Sequence, residues 1–315
     1  MYANINNLPR PFRAGDLLYY LRMKTERTTK GELTDKEVLR LGDLAAKIRT
    51  EILKMLKKAG SGHSAGPLGL TDIFTALYFK VLNHDPKHPE WEERDRLFLS
   101  NGHVAPVRYV TMAEAGYFPI AELKTFRQFG SRLQGHPEHR FLPGLENTSG
   151  PLGDGLSQAV GMAYAGLMDK KPWQVYCVMS DGELAAGINW EGFLFAHKYR
   201  LRNLTMIIDR NYIQIDGFTE DIMPIEPLSD KLAAFGLHVL EIDGHNLREI
   251  VAATEEAKAT WDRPTVIIAH TIPGKGVSFM ERDPAWHGKP PNAEELKRAL
   301  KELRTLSGAI QSEAS

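Results

Sequence analysis

The sequence has little of several features that define protein classes. Its 315 residues include one cysteine, Cys177, which excludes an intrachain disulfide framework and a zinc module built from several cysteines. Net charge is almost absent, with 39 Lys and Arg against 40 Asp and Glu, so we expect no general affinity for nucleic acid or membrane surfaces. There is no run of about 18 apolar residues and no signal-peptide pattern, so we predict a cytoplasmic protein without a transmembrane helix.

Ordinary globular patterning is present instead. Hydrophobic residues make up 43% of the chain and charged residues 25%, as in soluble domains with a substantial core. Thr34 and Glu37 form a capping-box pattern, and Gly60 offers a helix stop. Between them, apolar residues recur every three or four positions, which predicts an amphipathic helix. These residues are Val38, Leu41, Leu44, Ile48, Ile52 and Met55.

Downstream, short apolar runs alternate with helical patterns. Strands are predicted at residues 97–99, 175–179, 204–208, 237–240 and 265–269, and helices near residues 155–168, 190–199, 247–259 and 293–303. This alternation predicts an α/β fold with a single doubly wound, mostly parallel sheet and helices on both faces. We therefore divide the chain into an N-terminal extension, residues 1–33, with a helix over 12–23, and an α/β domain, residues 34–315.

Polar residues follow two of the predicted strands. Asp181 and Gly182 come after the strand that ends at Met179, and Asn211 follows the next strand. Ligands of parallel sheets bind beyond the carboxyl ends of the strands. Carboxylate and amide oxygens suit Mg²⁺, and the backbone carbonyl of Ile213 is a further candidate ligand. The alternative is that Asp181 only caps the helix that follows it.

The segment from Asp181 to Asn211 resembles the thiamine-diphosphate-binding motif, a Gly-Asp-Gly followed downstream by Asn. Other segments resemble transketolases in particular and occur in the transketolase order over roughly residues 40–290. The length of the chain, 315 residues, matches the N-terminal, diphosphate-binding subunit of split, two-chain transketolases. The segments are Ser61-Gly62-His63, Ser100-Asn101-Gly102-His103, Gly135-His136-Pro137-Glu138, Gly150-Pro151-Leu152-Gly153 and Trp286-His287-Gly288.

This resemblance implies a transferase that moves a two-carbon ketol unit from a ketose phosphate to an aldose phosphate through a thiamine-diphosphate carbanion. It implies Mg²⁺ ligation by Asp181, Asn211 and the Ile213 carbonyl. Gly182 lies in the same cofactor motif, and Gly150 and Leu152 match the contact to the aminopyrimidine ring.

The resemblance also assigns roles to four histidines. His63 and His287 match residues at the reacting hydroxyls of the sugar, and His136 matches the contact to the donor's terminal hydroxyl. His103 matches the diphosphate side of the cofactor. Histidine suits proton handling near neutral pH.

A partner chain is a further implication, because the pyrimidine-binding domain of the family is missing from this sequence. We expect a C-terminal transketolase subunit, an α₂β₂ assembly, and close packing between chains through the small-residue helix at residues 155–168. Two alternatives remain: the α subunit of a 2-oxo-acid dehydrogenase, and a non-catalytic homologue. Two departures from the family's pattern leave the non-catalytic homologue as an alternative. Ser180 replaces the motif's first Gly, and Ala185-Ala186 replaces Gln-Glu.

One competing motif belongs to a different class of enzyme. Residues 62–66 match the nucleophile-elbow pattern G-x-S-x-G, with Ser64 as the nucleophile. That pattern needs a strand directly before it. Because the predicted helix ending near Gly60 precedes it here, we discount a serine hydrolase.

Overall fold

A parallel sheet organises the chain in the computed structural model, which describes residues 32–313. The strands are β1 (Arg96–Leu99), β2 (Val175–Ser180), β3 (Leu204–Arg210), β4 (Ile213–Gln214), β5 (Gly217–Phe218), β6 (His238–Asp243) and β7 (Thr265–His270). Five of them pair in parallel in the order β1-β2-β3-β7-β6, and β4 and β5 form a small antiparallel hairpin. The predicted α/β architecture is confirmed.

Helices connect the strands. They are α1 (Asp35–Ala59), α2 (Ala65–Gly69), α3 (Thr71–Ala76), α4 (Ala105–Ala115), α5 (Asp154–Met168), α6 (Gly187–Lys198), α7 (Thr219–Ile222), α8 (Leu228–Ala234), α9 (Leu247–Ala259) and α10 (Ala293–Glu313). A π-helical turn, Leu77–Val81, continues α3. None of the helices within residues 32–313 is long and apolar enough to span a bilayer. The helix predicted at 12–23 lies outside the described residues, as does the extension except for Glu32 and Leu33.

The helices cover both faces of the sheet. Every residue of β2 and β3 is buried, and successive side chains enter two different cores. Tyr176 and Val178 pack with residues of α1, α3, α4 and α9, whereas Cys177 and Met179 pack with residues of α5, α6 and α8. Cys177 is a free, buried thiol in the second of these cores.

Local sequence signals fix the ends of α1. The Thr34 Oγ1 accepts a hydrogen bond from the Glu37 N–H at 3.3 Å, and the Glu37 carboxylate accepts one from the Thr34 N–H at 2.9 Å. Gly60 ends the helix in the left-handed conformation, with φ +66°, and its N–H donates to the Leu56 carbonyl. Both predicted ends are confirmed, and the apolar stripe of α1 faces the core.

Candidate functional site

The carboxyl ends of β2 and β3 bring the two predicted motif residues into one place. In the strand register Ser180 lies opposite Asp209, so Asp181 lies beside the segment that begins at Arg210. The Oδ2 atom of Asp181 accepts a hydrogen bond from the Tyr212 N–H at 2.7 Å. Asp181 therefore contacts the residue that directly follows Asn211.

Asp181 is fully buried and surrounded by donors. Its Oδ1 accepts from the Gly182 N–H at 2.7 Å, and its Oδ2 also accepts from Arg210 Nη1 at 2.9 Å. Burial raises the pKa of this carboxyl, while Arg210 and the two backbone N–H groups oppose the rise. Asp181 does cap the 3₁₀ turn at Gly182–Ala185, as the capping alternative predicts. The hydrogen bonds of its Oδ2 come from Arg210 and Tyr212 and are not part of that cap.

Asn211 lies in a tight turn between β3 and β4. Its Oδ1 accepts from the Ile213 N–H at 2.9 Å, its Nδ2 donates to Asp209 Oδ2 at 2.7 Å, and Tyr212 adopts φ +65°. Within residues 32–313, no three His, Cys, Asp or Glu side chains are grouped as a metal site. A cation here would therefore draw on carboxylate, amide and backbone oxygens, as Mg²⁺ does when it also binds a diphosphate.

Three of the four predicted histidines form a compact cluster. The ring centroids of His63, His103 and His287 lie 5.1 to 5.2 Å apart in all three pairs. The fourth, His136, is exposed. It is still close enough for its charge to lower the pKa of both His63 and His103. The structure thus brings together residues from four separate segments of the chain.

Burial keeps this cluster uncharged near neutral pH. Desolvation is the main cause that lowers the pKa of His63 to about 4 and the pKa of His103 well below its ordinary value. Burial also lowers the pKa of His136 and His287. A neutral imidazole has one donor and one acceptor nitrogen, so each ring can both give and take a proton.

Unpaired buried polar atoms test whether these segments fit a polar ligand. His63 Nδ1, Ser149 Oγ and both amide atoms of Asn101 are buried and have no hydrogen-bond partner. They lie in three of the segments named above or directly beside them. Since an unsatisfied buried polar atom costs about 1–3 kcal/mol, such a concentration fits a site that receives a polar group.

The two predicted cofactor-binding glycines differ in their surroundings, since Gly150 has open space beside it and Gly182 lies close to a neighbouring side chain. A Cβ on Gly150 would meet nothing within 4 Å, whereas one on Gly182 would lie 3.1 Å from Gln214 Cβ. Leu152 is 41% exposed although its side chain is apolar. This part of the site is open to the surface of the chain.

Glu183 joins three segments of the site, a role that sequence reasoning missed. Its carboxylate is buried and accepts from the Ser100 hydroxyl, from the Gly153 N–H at 3.0 Å and from the Ser180 N–H at 3.0 Å. The only sequence signal is an acidic residue between Gly182 and apolar Leu184. The same contact accommodates Ser180, the departure from the motif, because its hydroxyl also faces Glu183 at 3.4 Å.

Ser64 does not have the surroundings of a hydrolase nucleophile. It is fully buried, it follows helix α1 rather than a strand, and its hydroxyl donates to the Lys289 carbonyl at 2.6 Å. This bond attaches the segment that carries His63 to the segment that carries His287. The serine-hydrolase interpretation stays discounted.

Comparison with known families gives one consistent result. Residues 42–307 match the family described as transketolase, thiamine diphosphate binding domain. The chain is 45% identical over 256 residues to the 6-deoxy-6-sulfo-D-fructose transketolase subunit SqwG of Clostridium sp. strain MSTE9, covering 81% of this chain and 93% of that protein. It is 41% identical over 261 residues to one of the subunits of the apulose-4-phosphate transketolase of Actinobacillus succinogenes, covering 82% and 94%.

Solved structures give the same result for the fold. The transketolase from Leishmania mexicana superposes with a TM-score of 0.78 at 31% identity, over 87% of this chain and 45% of that one. The Campylobacter jejuni transketolase gives 0.78 at 36% identity, over 84% and 42%. The chain thus spans less than half the length of these transketolases. These similarities do not favour the α subunit of a 2-oxo-acid dehydrogenase.

Proposed function

The chain belongs to the transketolase family as an N-terminal, thiamine-diphosphate-binding subunit, and from this premise we propose that it works in two-carbon ketol transfer from a ketose phosphate to an aldose phosphate. The observation that carries the proposal is the link through Glu183, which joins the Asp181 turn to the loop of His103, whose ring clusters with those of His63 and His287. Bound thiamine diphosphate supplies the electron sink for breaking and forming the carbon–carbon bond. We keep residues 34–315 as the domain that binds it.

We assign Mg²⁺ to Asp181, Asn211 and the backbone carbonyl of Ile213. The assignment is supported by the oxygen donors of these residues and by the contact between their two segments. Gly182 lets the backbone approach the diphosphate closely, because it has no side chain. Gly150 and Leu152, which are open to the surface, are assigned to the aminopyrimidine ring.

The histidines handle protons on the sugar. We place His63 and His287 at the reacting hydroxyls, His136 at the terminal hydroxyl of the donor, and His103 on the diphosphate side. A ring kept neutral by burial can accept a hydroxyl proton at pH 7, which a charged imidazolium cannot do. The exposed position of His136 agrees with a contact at the outer end of the donor.

A partner subunit completes the active site. Relatives of similar length are named as transketolase subunits, and solved transketolases are more than twice as long as the matched region. The exposed faces of α5 and α6 form a surface suited to the partner, defined here as the helix face. Small residues allow close approach of backbones. The helix face comprises Gly161, Ala165, Met168, Leu194 and Phe195.

We propose an α₂β₂ heterotetramer that exchanges pentose phosphates in the cytoplasm. The location follows from substrates that are charged sugar phosphates and do not cross membranes unaided. A modified ketose is the second candidate donor, and it is favoured by the 45% identity to a 6-deoxy-6-sulfo-D-fructose transketolase subunit.

Mixing the full chain with its partner subunit, Mg²⁺ and thiamine diphosphate tests this proposal against a panel of ketose phosphates and 6-deoxy-6-sulfofructose. We expect turnover from the mixture and none from either chain alone. Asp181→Ala should abolish turnover without preventing assembly, and Ala165→Glu should prevent assembly in sedimentation experiments, because it places a charge on the helix face.

Two outcomes contradict the proposal. Turnover by the isolated chain at the rate of the mixture would remove the need for a partner. Full assembly without turnover of any donor would identify the chain as a non-catalytic homologue.

A further inference from the structure

Arg210 is a buried cation that the reaction described above does not use. Only 1% of its side chain is exposed, although two of its partners, Glu220 and Glu226, are 39% and 50% exposed. Its Nη1 donates to Asp181 Oδ2 at 2.9 Å and to Thr219 Oγ1 at 3.0 Å. Its Nη2 donates to Glu220 at 2.9 Å and to Glu226 at 2.7 Å. One guanidinium group therefore connects the metal-binding carboxylate to α7 and to the loop before α8.

The contacts of Asp181 divide its two oxygens unequally. Oδ2 faces Arg210 Nη1, the Tyr212 N–H at 2.7 Å and the Thr219 hydroxyl at 3.4 Å. Oδ1 has one donor, the Gly182 N–H. A carboxylate oxygen offers two lone pairs, so Oδ2 is fully used and Oδ1 keeps one for a cation.

We propose that Arg210 is a positioning residue for the metal ligand: it fixes Oδ2 of Asp181 so that Oδ1 faces the divalent cation. The inference rests on the proposed function, because it takes Asp181 as the magnesium ligand. Partners that orient a ligating carboxylate typically change metal affinity by about 10–100-fold when they are removed. The planar fork of arginine suits the task, since it holds Asp181 through one nitrogen and Glu226 through the other.

Orientation and simple charge predict opposite effects. If Arg210 acted only as a positive charge, its removal would strengthen binding of a divalent cation through reduced repulsion. If it acts by orientation, its removal weakens binding. The sign of the change in affinity therefore distinguishes the two roles.

The test uses Mn²⁺ as the probe, with the full chain, its partner subunit and thiamine diphosphate. Electron paramagnetic resonance of free Mn²⁺ gives the affinity. We expect Arg210→Gln to weaken Mn²⁺ binding by about 10–100-fold. Arg210→Lys should weaken it less, because the lysine ammonium can still donate a hydrogen bond to Asp181 although it lacks the fork. Glu226→Gln is the control, with affinity near that of the wild type, since the Asp181 bond stays in place.

Equal or tighter Mn²⁺ binding by Arg210→Gln overturns the inference. If that variant does not fold, Arg210→Lys replaces it, since lysine keeps the positive charge but loses the planar fork. Weaker binding then supports the inference, and unchanged binding overturns it. If the wild type takes up no Mn²⁺ with the cofactor, the proposed function fails. If Asp181→Ala loses Mn²⁺ while the Arg210 variants do not, only the inference fails.

Discussion

Single residues at this site depend on burial for their chemistry. The cluster of His63, His103 and His287 places three basic groups within about 5 Å of one another. Because charging any of them in a half-buried site is unfavourable, the cluster is neutral at pH 7. Neutral rings fit the proton transfers that the proposed reaction needs.

His63 should therefore stay unprotonated far into the acid range. With a pKa of about 4 in the folded protein against 6.5 in the unfolded chain, the unfolded state binds more protons between these values. Stability is thus lost as the pH falls from about 6.5 to about 4. We expect NMR titration of the His63 ring to show a midpoint near pH 4, and a loss on the order of 1 kcal/mol between pH 7 and pH 5.

His63→Gln provides the control for that prediction. The variant should lose less stability on acidification than the wild type, because it lacks the group that the unfolded chain protonates. A His63 midpoint near 6.5, or equal acid sensitivity in both proteins, contradicts the buried, neutral assignment.

At the level of elements, the same substitution, Gly to Ala, is expected to change stability in opposite directions at two positions, one within α1 and one at its end. Gly42 lies within the helix and Gly60 ends it with φ +66°, and a Cβ at either position would meet nothing within 4 Å. Steric contacts are therefore equal, and only the backbone conformation differs.

We expect Gly42→Ala to stabilise the protein by about 0.5–1 kcal/mol, since alanine favours the helix. Gly60→Ala should destabilise it by about 1–2 kcal/mol, because an L-residue is strained in the left-handed region. Urea unfolding of both variants measures the difference. Changes of the same sign would mean that the end of α1 differs from the structure described.

The main elements follow from sequence periodicity, and the smaller ones do not. Helix α9 spans the residues predicted for it, and β2, β3 and β7 extend the predicted strands by one or two residues. The hairpin β4–β5 was missed, since strands of two residues have no detectable alternation. Strand β6 begins one residue later than predicted and continues to Asp243. Its last residues were missed because they include the charged Glu241 and Asp243, which an edge strand can expose to solvent.

The site was predictable where chemistry follows a strand end. Asp181 and Asn211 follow strand ends, which marks them in the sequence, whereas the four histidines were identified through the resemblance to transketolase segments. Glu183 and Arg210 were missed, because their roles come from contacts with residues distant along the chain. Neither hydrophobic periodicity nor a sequence motif indicates contacts of this kind.

At the scale of the whole molecule, part of the candidate site is exposed on the surface of the chain. Leu152 and His136 are exposed, and Gly150 has open space beside it. Because the chain matches under half of these transketolases, we expect it to present only a part of the active site. Assembly is expected to bury these residues and to complete cofactor binding.

Calorimetric titration of thiamine diphosphate into the chain assembled with its partner tests the central claim most directly. We predict binding in Mg²⁺, its loss when a chelator removes the metal, and the same loss in Asp181→Ala at full Mg²⁺. Binding that persists unchanged without Mg²⁺ and in Asp181→Ala would contradict the account.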